Sequence, residues 1–241
     1  MLFILRKLRH SFFQPGKLRT YIAYALGEIL LIVIGILIAV QIGEWQQDRE
    51  ERQWELKALG ELREELLLNV QDFEFAIKEA KEFAAAAEYF IEAIEKQLPY
   101  DPEVMPSKFW YALQTPWFRT NDTAYRTIET KGLHAIQNDE LRKAMIYLYT
   151  RDYNEFMLLR EEDIGRRNYV GAFFSENFRV FNFKNHLEPT NYDALIKDPV
   201  FSSLLTGHKS GNEGLASGWI DTSIKRTKDL IALIDAELAN P

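Results

Sequence analysis

Glu28 is the residue whose position is most unusual for its chemistry, because its carboxyl group lies inside an otherwise uncharged apolar stretch. No other side chain between Arg19 and Glu44 is charged. A carboxyl group at this depth can take part in the movement of protons or ions across a bilayer. It can also be neutral or hydrogen-bonded and fix the register of helix packing. The structural interpretation is favoured, and ion coupling is the alternative.

Small residues lie on the same side of this stretch as Glu28. At about 100° of rotation per residue, Glu28, Gly35 and Ala39 fall within about 20° of one direction on a helix. Small side chains allow two membrane helices to approach closely. We therefore expect the stretch to self-associate, or to dock on a partner helix, through an interface formed by Gly27, Glu28, Gly35, Ala39 and Gly43.

The four histidines form no recognisable catalytic or metal-binding pattern. They are dispersed along the chain, and none belongs to an HExxH motif or to a paired ligand spacing. Thiol chemistry and disulfides are excluded because the chain has no cysteine. The glycine-rich stretch that begins at Gly207 lacks the order and strand context of a phosphate loop, so we interpret it as a flexible turn. We predict that the chain is not an enzyme and that it holds no metal or cofactor.

An aromatic-rich region covers residues 109–125. Such residues are typical of a helical core, which is the favoured interpretation. The alternative is an apolar groove for a peptide or a lipid, since exposed aromatic clusters mark interaction surfaces. The candidate lining residues of this groove are Trp110, Trp117, Arg119 and Tyr125.

The apolar stretch that contains Glu28 is long enough to cross a membrane. At about 1.5 Å per residue, residues 21–42 span roughly 33 Å. A buried core helix and a cleaved signal peptide are the alternatives. The stretch is longer than the apolar core of a signal peptide, and no convincing small-x-small cleavage site follows it. We therefore predict an uncleaved transmembrane helix.

The distribution of charge indicates the orientation of the chain. Residues 1–20 contain five basic and no acidic side chains, and short segments of this kind stay in the cytoplasm, either at the membrane interface or as a disordered tail. Residues 43–241 contain 24 basic and 35 acidic side chains, a net charge of −11, which argues against nucleic acid as a partner. We predict a single-pass protein of the bacterial inner membrane, with a cytoplasmic N-terminus and a periplasmic C-terminal domain.

Helical periodicity continues beyond the predicted span. Apolar residues recur every three or four positions from Leu59 to Leu98, with one stutter, and Pro99 follows. This heptad spacing predicts a long, coiled-coil-like helix over residues 43–98.

The remainder of the chain is also predicted to be helical. Gly132 is expected to close one helix, and Asn138 or Asp139 is expected to cap the next. The apolar spacing predicts that this second helix continues toward Phe174 or Phe178. A short helix over about residues 200–205 and a last helix over about residues 217–238 complete the prediction. No alternating strand pattern of useful length is present.

These elements predict an all-α fold. One transmembrane helix continues into a long helix, and an extracytoplasmic antiparallel helical bundle follows. The four predicted parts are a basic cytoplasmic or interfacial tail (1–20), a transmembrane helix (21–42), a long helix (43–98) and the rest of the bundle (99–241).

Two stretches resemble a known family. They are GEILLIVIGILIAVQIGEW (Gly27–Trp45) and TAYRTIETKGLHAIQNDELRKAMIYLY (Thr123–Tyr149). Both are similar to the bacterial single-pass membrane proteins catalogued as the domain of unknown function 6090. The second stretch has that family's tyrosine-containing helix, glycine turn and "DELR" helix start. The resemblance implies the topology and the helical content, and it implies no activity, because none is established for the family.

Together these features predict a membrane-anchored helical scaffold, sensor or regulatory subunit. Its expected partners are the lipid bilayer and either further copies of the chain or another membrane protein, with no nucleic acid. One alternative is an ion-coupling or transport-associated subunit that uses Glu28. The other is a lipid- or peptide-binding module that uses the region 109–125.

Overall fold

The computed structural model describes residues 17–117, 119–182 and 186–239. Most of these residues are helical, which confirms the predicted helical class. The α-helices are α1 (Lys17–Glu95), α2 (Met105–Ala112), α3 (Thr123–Lys131), α4 (Asp139–Tyr147), α5 (Asn154–Asn177), α6 (Tyr192–Leu195), α7 (Pro199–Gly214) and α8 (Ile220–Leu238). A 3-10 turn (Leu133–Ala135), a first π-turn (Leu148–Tyr153) and a second π-turn (Leu215–Trp219) lie between them.

The chain divides into two compact units, with the boundary between Trp54 and Glu55. In the first unit the structure describes residues 17–54, all of which belong to helix α1. Residues 1–16 of the predicted basic tail lie outside the described residues, whereas residues 17–20 of that tail already belong to the helix. The described residues from Glu55 onwards form the second unit, which we call the helical domain.

The first unit contains the apolar stretch. Its 18-residue window of highest hydropathy has a mean hydropathy of 2.6, and none of that window is buried. Leu31, for example, is 72% exposed. Helix α1 is therefore long and apolar enough to cross a membrane, and it is the one such helix among the described residues.

In the helical domain, helix α1 buries one face. The heptad spacing predicts this face only in part, because Ile77, Ile91 and Ile94 are half-buried beside it. The fully buried apolar positions recur at intervals of three, four or seven residues; they are Leu59, Leu62, Leu66, Phe73, Ala76, Ala80, Ala87, Phe90 and Ala93. Alanines occupy many of these positions, and their small side chains allow other helices to approach closely.

Helix α1 ends at Glu95, three residues before the predicted end at Leu98. Gln97 adopts a left-handed conformation with φ of 50°. The Leu98 N–H donates to the Ala93 carbonyl at 2.9 Å, and the Gln97 N–H donates to the Ile94 carbonyl at 3.3 Å. These two bonds form a Schellman motif, which terminates the helix before Pro99 is reached.

Both helix boundaries predicted near residue 135 are confirmed. Helix α3 ends before Gly132, whose φ of 110° is readily available to glycine alone. Helix α4 is capped by Asn138, whose Oδ1 accepts hydrogen bonds from the Glu140 and Leu141 N–H groups at 3.1 and 3.2 Å. From there the chain remains helical, through the first π-turn, as far as Asn177.

The prediction of a flexible turn at Gly207 is wrong. This glycine lies within helix α7, which begins at Pro199 and is capped by the Asp198 carboxylate. Phe201 and Leu205 on this helix are fully buried. Their burial outweighs the low helix propensity of the glycines, which costs about 1 kcal/mol each. The last helix, predicted from about residue 217, begins at Ile220 after the second π-turn.

The expectation of no strand is also wrong. Strands β1 (Phe178–Asn182) and β2 (His186–Pro189) pair antiparallel. With five and four residues they are too short for alternation to stand out in the sequence. Phe178 and Leu187 are buried in the core. The ring centroid of Phe178 lies 5.1 Å from that of Phe109, and Phe109 stacks on Phe90 with the ring centroids 4.1 Å apart.

Candidate functional site

The five predicted interface residues of the span lie along the first unit of helix α1. Gly27, Glu28, Gly35, Ala39 and Gly43 are all exposed. A Cβ atom added at any of the three glycines would have nothing within 4 Å apart from its chain neighbours and the backbone of its own helix. This side of the helix is therefore open among the described residues, and its proposed role in helix association stays a prediction.

The four residues of the predicted groove do not share one surface. Tyr125 is buried and stacks on Tyr149, with ring centroids 4.1 Å apart and the planes inclined by 4°. Trp110 is partly buried and stacks on Phe174 at 6.3 Å. Half of the proposed lining therefore belongs to the core of the helical domain.

The other two groove residues face solvent. Trp117 is 48% exposed, and the guanidinium of Arg167 lies 5.2 Å from the centroid of its ring. Arg167 also donates from Nη2 to the carbonyl and hydroxyl oxygens of Thr115, both at 3.0 Å. Arg119 is exposed. Ligand binding by Trp117 and Arg119 stays a prediction.

A buried polar layer inside the helical domain was not predicted from the sequence; it is composed of Glu65, Asn69, Tyr149, Tyr153 and Thr227. Glu65 on helix α1 is its centre. Its Oε1 accepts a hydrogen bond from the Tyr149 hydroxyl at 2.7 Å, and its Oε2 accepts one from the Ala124 N–H at 2.8 Å. Ala124 lies in the first turn of α3, so a carboxylate of one helix satisfies the N-terminus of another.

Asn69, one turn further along helix α1, is fully buried. Its Oδ1 accepts hydrogen bonds from the backbone N–H and the side-chain amide of Asn121 at 2.7 and 3.1 Å, and its Nδ2 donates to the Asn121 carbonyl at 2.9 Å. Tyr153 and Thr227 join their hydroxyl groups at 3.0 Å, and Thr227 donates to the Ser223 carbonyl at 2.7 Å. The polar layer thus joins α1, the first π-turn and α8.

Burial controls the acidity of the two tyrosines in this layer. It raises the pKa of Tyr149 far above its usual range, and the neighbouring Glu65 carboxylate adds to the effect. Burial likewise raises the pKa of Tyr153 to about 12. Both phenols are therefore neutral hydrogen-bonding groups near neutral pH, and their role is to fix the positions of the helices.

A cleft of about 350 Å³ lies beside the polar layer, and we call it the Asp152 cleft. Both π-turns contribute to its wall, together with the first turn of α5 and the start of α8. Its lining residues are Asp152, Glu155, Gly218, Trp219, Thr222, Ser223 and Arg226. A π-turn adds one residue to a helical turn and is frequent at functional sites.

An ion pair lies in the wall of the Asp152 cleft. Arg226 donates from Nη1 to Asp152 Oδ1 at 2.6 Å, and its guanidinium lies 5.0 Å from the ring centroid of Tyr147. The Asp152 side chain is 6% exposed, whereas that of Arg226 is 43% exposed. The hydrogen bond to Asp152 raises the pKa of Arg226. The second carboxylate oxygen, Asp152 Oδ2, is buried and accepts no hydrogen bond.

The Asp152 cleft could not be identified from the sequence. Asp152 and Arg226 are 74 residues apart, and each occurs in a charged helical stretch where such residues are usually solvated. The π-turns that bring them together have no sequence signature in the periodicity. Among the described residues, no group of three His, Cys, Asp or Glu side chains could hold a metal ion.

Comparison with known proteins adds no relative. No family model, no curated protein and no solved structure matches the chain. The resemblance of Gly27–Trp45 and Thr123–Tyr149 to a bacterial membrane-protein family therefore stays a prediction.

Proposed function

We propose that this chain is a membrane-anchored scaffold, sensor or regulatory subunit of a membrane complex. The observation that supports the proposal is the apolar stretch of helix α1. Its 18 most apolar consecutive residues are not buried by any other part of the described protein. Exposing so many large apolar side chains to water is unfavourable at roughly 25 cal/mol per Å². A bilayer removes that cost, and the helix satisfies its own backbone hydrogen bonds within it.

The proposed location is a bacterial inner membrane, with the helical domain in the periplasm. Five basic and no acidic side chains precede the span, and residues 43–241 carry a net charge of −11. Basic flanks are retained on the cytoplasmic side during insertion. The acidic helical domain then lies on the other side, where it is available to periplasmic ligands and partners.

Membrane anchoring is tested with a charged substitution. Replacing both Ile32 and Ile36 with Lys costs roughly 2.5–3.5 kcal/mol for each lysine near the middle of the span. We expect the variant to leave the membrane fraction after alkaline carbonate extraction, while the wild type and a matched variant with Val at both positions remain.

The orientation is tested with protease added outside spheroplasts, which should digest the helical domain of the wild type. Release of the wild type by carbonate, or protection of its helical domain, contradicts the proposal.

The oligomeric part of the proposal concerns the face that contains Glu28, Gly35 and Ala39. We expect Gly35→Leu to convert a defined oligomer into smaller species, because a leucine there keeps two helix backbones apart. Native mass spectrometry of the nanodisc-embedded chain measures the change. Val33→Leu lies about 160° away around the helix and is the matched control, for which we expect no change. A monomeric wild type excludes self-association and directs the search to a partner protein.

A further inference from the structure

We infer that the Asp152 cleft binds a small organic compound through an ammonium group. The inference deepens the sensor part of the proposed function, on which its physiological meaning rests. Binding itself is a property of the helical domain and is measured separately from membrane anchoring.

The charges that line the Asp152 cleft favour a cation. Asp152 and Glu155 are acidic, and Arg226 is the one basic residue of the lining. Arg226 is engaged with Asp152 through the 2.6 Å hydrogen bond. Glu155 is half-buried, and among the described residues it has no ion-pair partner. One negative charge is therefore left without a counter-charge in the wall of the cleft.

Asp152 supplies a second acceptor for the cation. Its Oδ2 is buried and accepts no hydrogen bond in a side chain that is 6% exposed. A buried acceptor without a donor is unfavourable, so a ligand N–H that reaches it recovers free energy. A wall side chain has to rotate to admit the ligand, and Trp219, which is 45% exposed, has the freedom to do so while Arg226 stays paired with Asp152.

The remaining wall fits an organic cation better than a metal or an anion. Trp219 is 45% exposed, and an indole ring attracts an ammonium group placed over its face. Two carboxylates provide fewer oxygen ligands than Ca²⁺ requires, and no group of three metal-ligating side chains is present among the described residues. A phosphate or carboxylate ligand would face Asp152 and Glu155, which repel it. The cleft volume of about 350 Å³ suits a small molecule.

The test is isothermal titration of the full chain with ethanolamine, in nanodiscs of phosphatidylcholine. Ethylene glycol, which has the same size without the ammonium group, is the control ligand. We expect saturable binding of ethanolamine and none of ethylene glycol. Equal heats for both ligands, or no saturable binding of ethanolamine, overturn the inference.

Repeating the titration in phosphatidylethanolamine nanodiscs distinguishes the sources of the ammonium group. Unchanged affinity assigns the cleft to a free amine, and weaker apparent affinity assigns it to the lipid headgroup.

Two substitutions on helix α5 locate the binding. Glu155→Gln removes the unpaired charge from the cleft, and we expect it to weaken ethanolamine binding about tenfold, the loss of one charge-assisted hydrogen bond. Glu176→Gln removes an exposed acid near the other end of the same helix, outside the cleft lining, and should leave the affinity unchanged. An equal loss in both variants, or no loss in Glu155→Gln, contradicts the assignment. If carbonate releases the wild-type chain from the membrane but the chain still binds ethanolamine, the proposed membrane anchor is refuted and the proposed binding site is not.

Discussion

The two parts of helix α1 that lie on either side of the unit boundary differ in how their apolar residues are arranged around the helix. From Ile29 to Ile42 apolar residues occupy all sides, and every side chain in that range is exposed. From Leu59 to Ala93 they concentrate on one face, and that face is buried. A helix that is apolar on all sides requires an apolar environment on all sides, whereas a one-sided helix requires a protein core. The difference separates the part that is long and apolar enough to cross a membrane from the part that packs into a protein core.

The polar residues of the two parts differ in the same way. In the helical domain, Glu65 and Asn69 are buried, and each accepts at least two hydrogen bonds from other elements. In the first unit, hydrogen bonds such as that from Gln41 Nε2 to Glu44 Oε2 at 3.3 Å are short-range and exposed. Buried polar groups fix neighbours in place because leaving them without partners is costly. Helix α1 therefore organises the helical domain through its second part.

The largest expected effect compares a core side chain with one in the span. Phe73 is fully buried, with its ring centroid 5.6 Å from that of Tyr153 and 5.2 Å from that of Phe156. We expect Phe73→Ala to lower the free energy of unfolding of the helical domain by about 3–5 kcal/mol, because it leaves a cavity. Ile34→Ala, in the exposed span, should leave that free energy unchanged.

Urea unfolding of the full chain in nanodiscs, followed by near-ultraviolet circular dichroism, measures both variants. A loss of the same size for Ile34→Ala would show that the two parts of helix α1 are not distinguished by burial. A loss well below the expected range for Phe73→Ala would show that the core around it relaxes to fill the cavity.

The parts of the fold that were predicted from the sequence have local causes. The glycine at residue 132, with its positive φ, and the asparagine cap at residue 138 are properties of a few neighbouring residues. The buried face of helix α1 follows from the spacing of its apolar residues. Local chemistry and periodicity were sufficient for the helical class and for these boundaries.

The parts that were missed depend on distant contacts. Helix α7 contains three glycines, and it is stabilised by the burial of Phe201 and Leu205 against other elements. The π-turns are defined by one extra residue that periodicity does not reveal. The Asp152 cleft depends on both π-turns, and its ion pair joins residues 74 positions apart. Neither helix propensity nor the spacing of residues in the sequence could predict that Asp152 and Arg226 form an ion pair.

The second comparison is between a buried and an exposed hydrogen bond of helix α1. The buried one is donated by the Tyr149 hydroxyl group to Glu65. Tyr149→Phe leaves Glu65 Oε1 without its donor, and we expect it to cost about 1–3 kcal/mol in free energy of unfolding. Gln41→Ala removes an exposed partner in the span and should cost nothing measurable.

Alkaline pH sharpens the prediction for Tyr149. Burial raises the pKa of Tyr149 in the folded state above its value of 10.0 in an unfolded chain. Its contribution to stability is therefore complete below about pH 10 and decreases as the pH rises further, because the unfolded chain loses the phenol proton first. Urea unfolding between about pH 8 and pH 11 should show a steeper loss of stability for the wild type than for Tyr149→Phe. Parallel pH profiles for the two proteins would mean that the Tyr149 hydroxyl is accessible to solvent, and that the polar layer does not hold the second part of helix α1 in place.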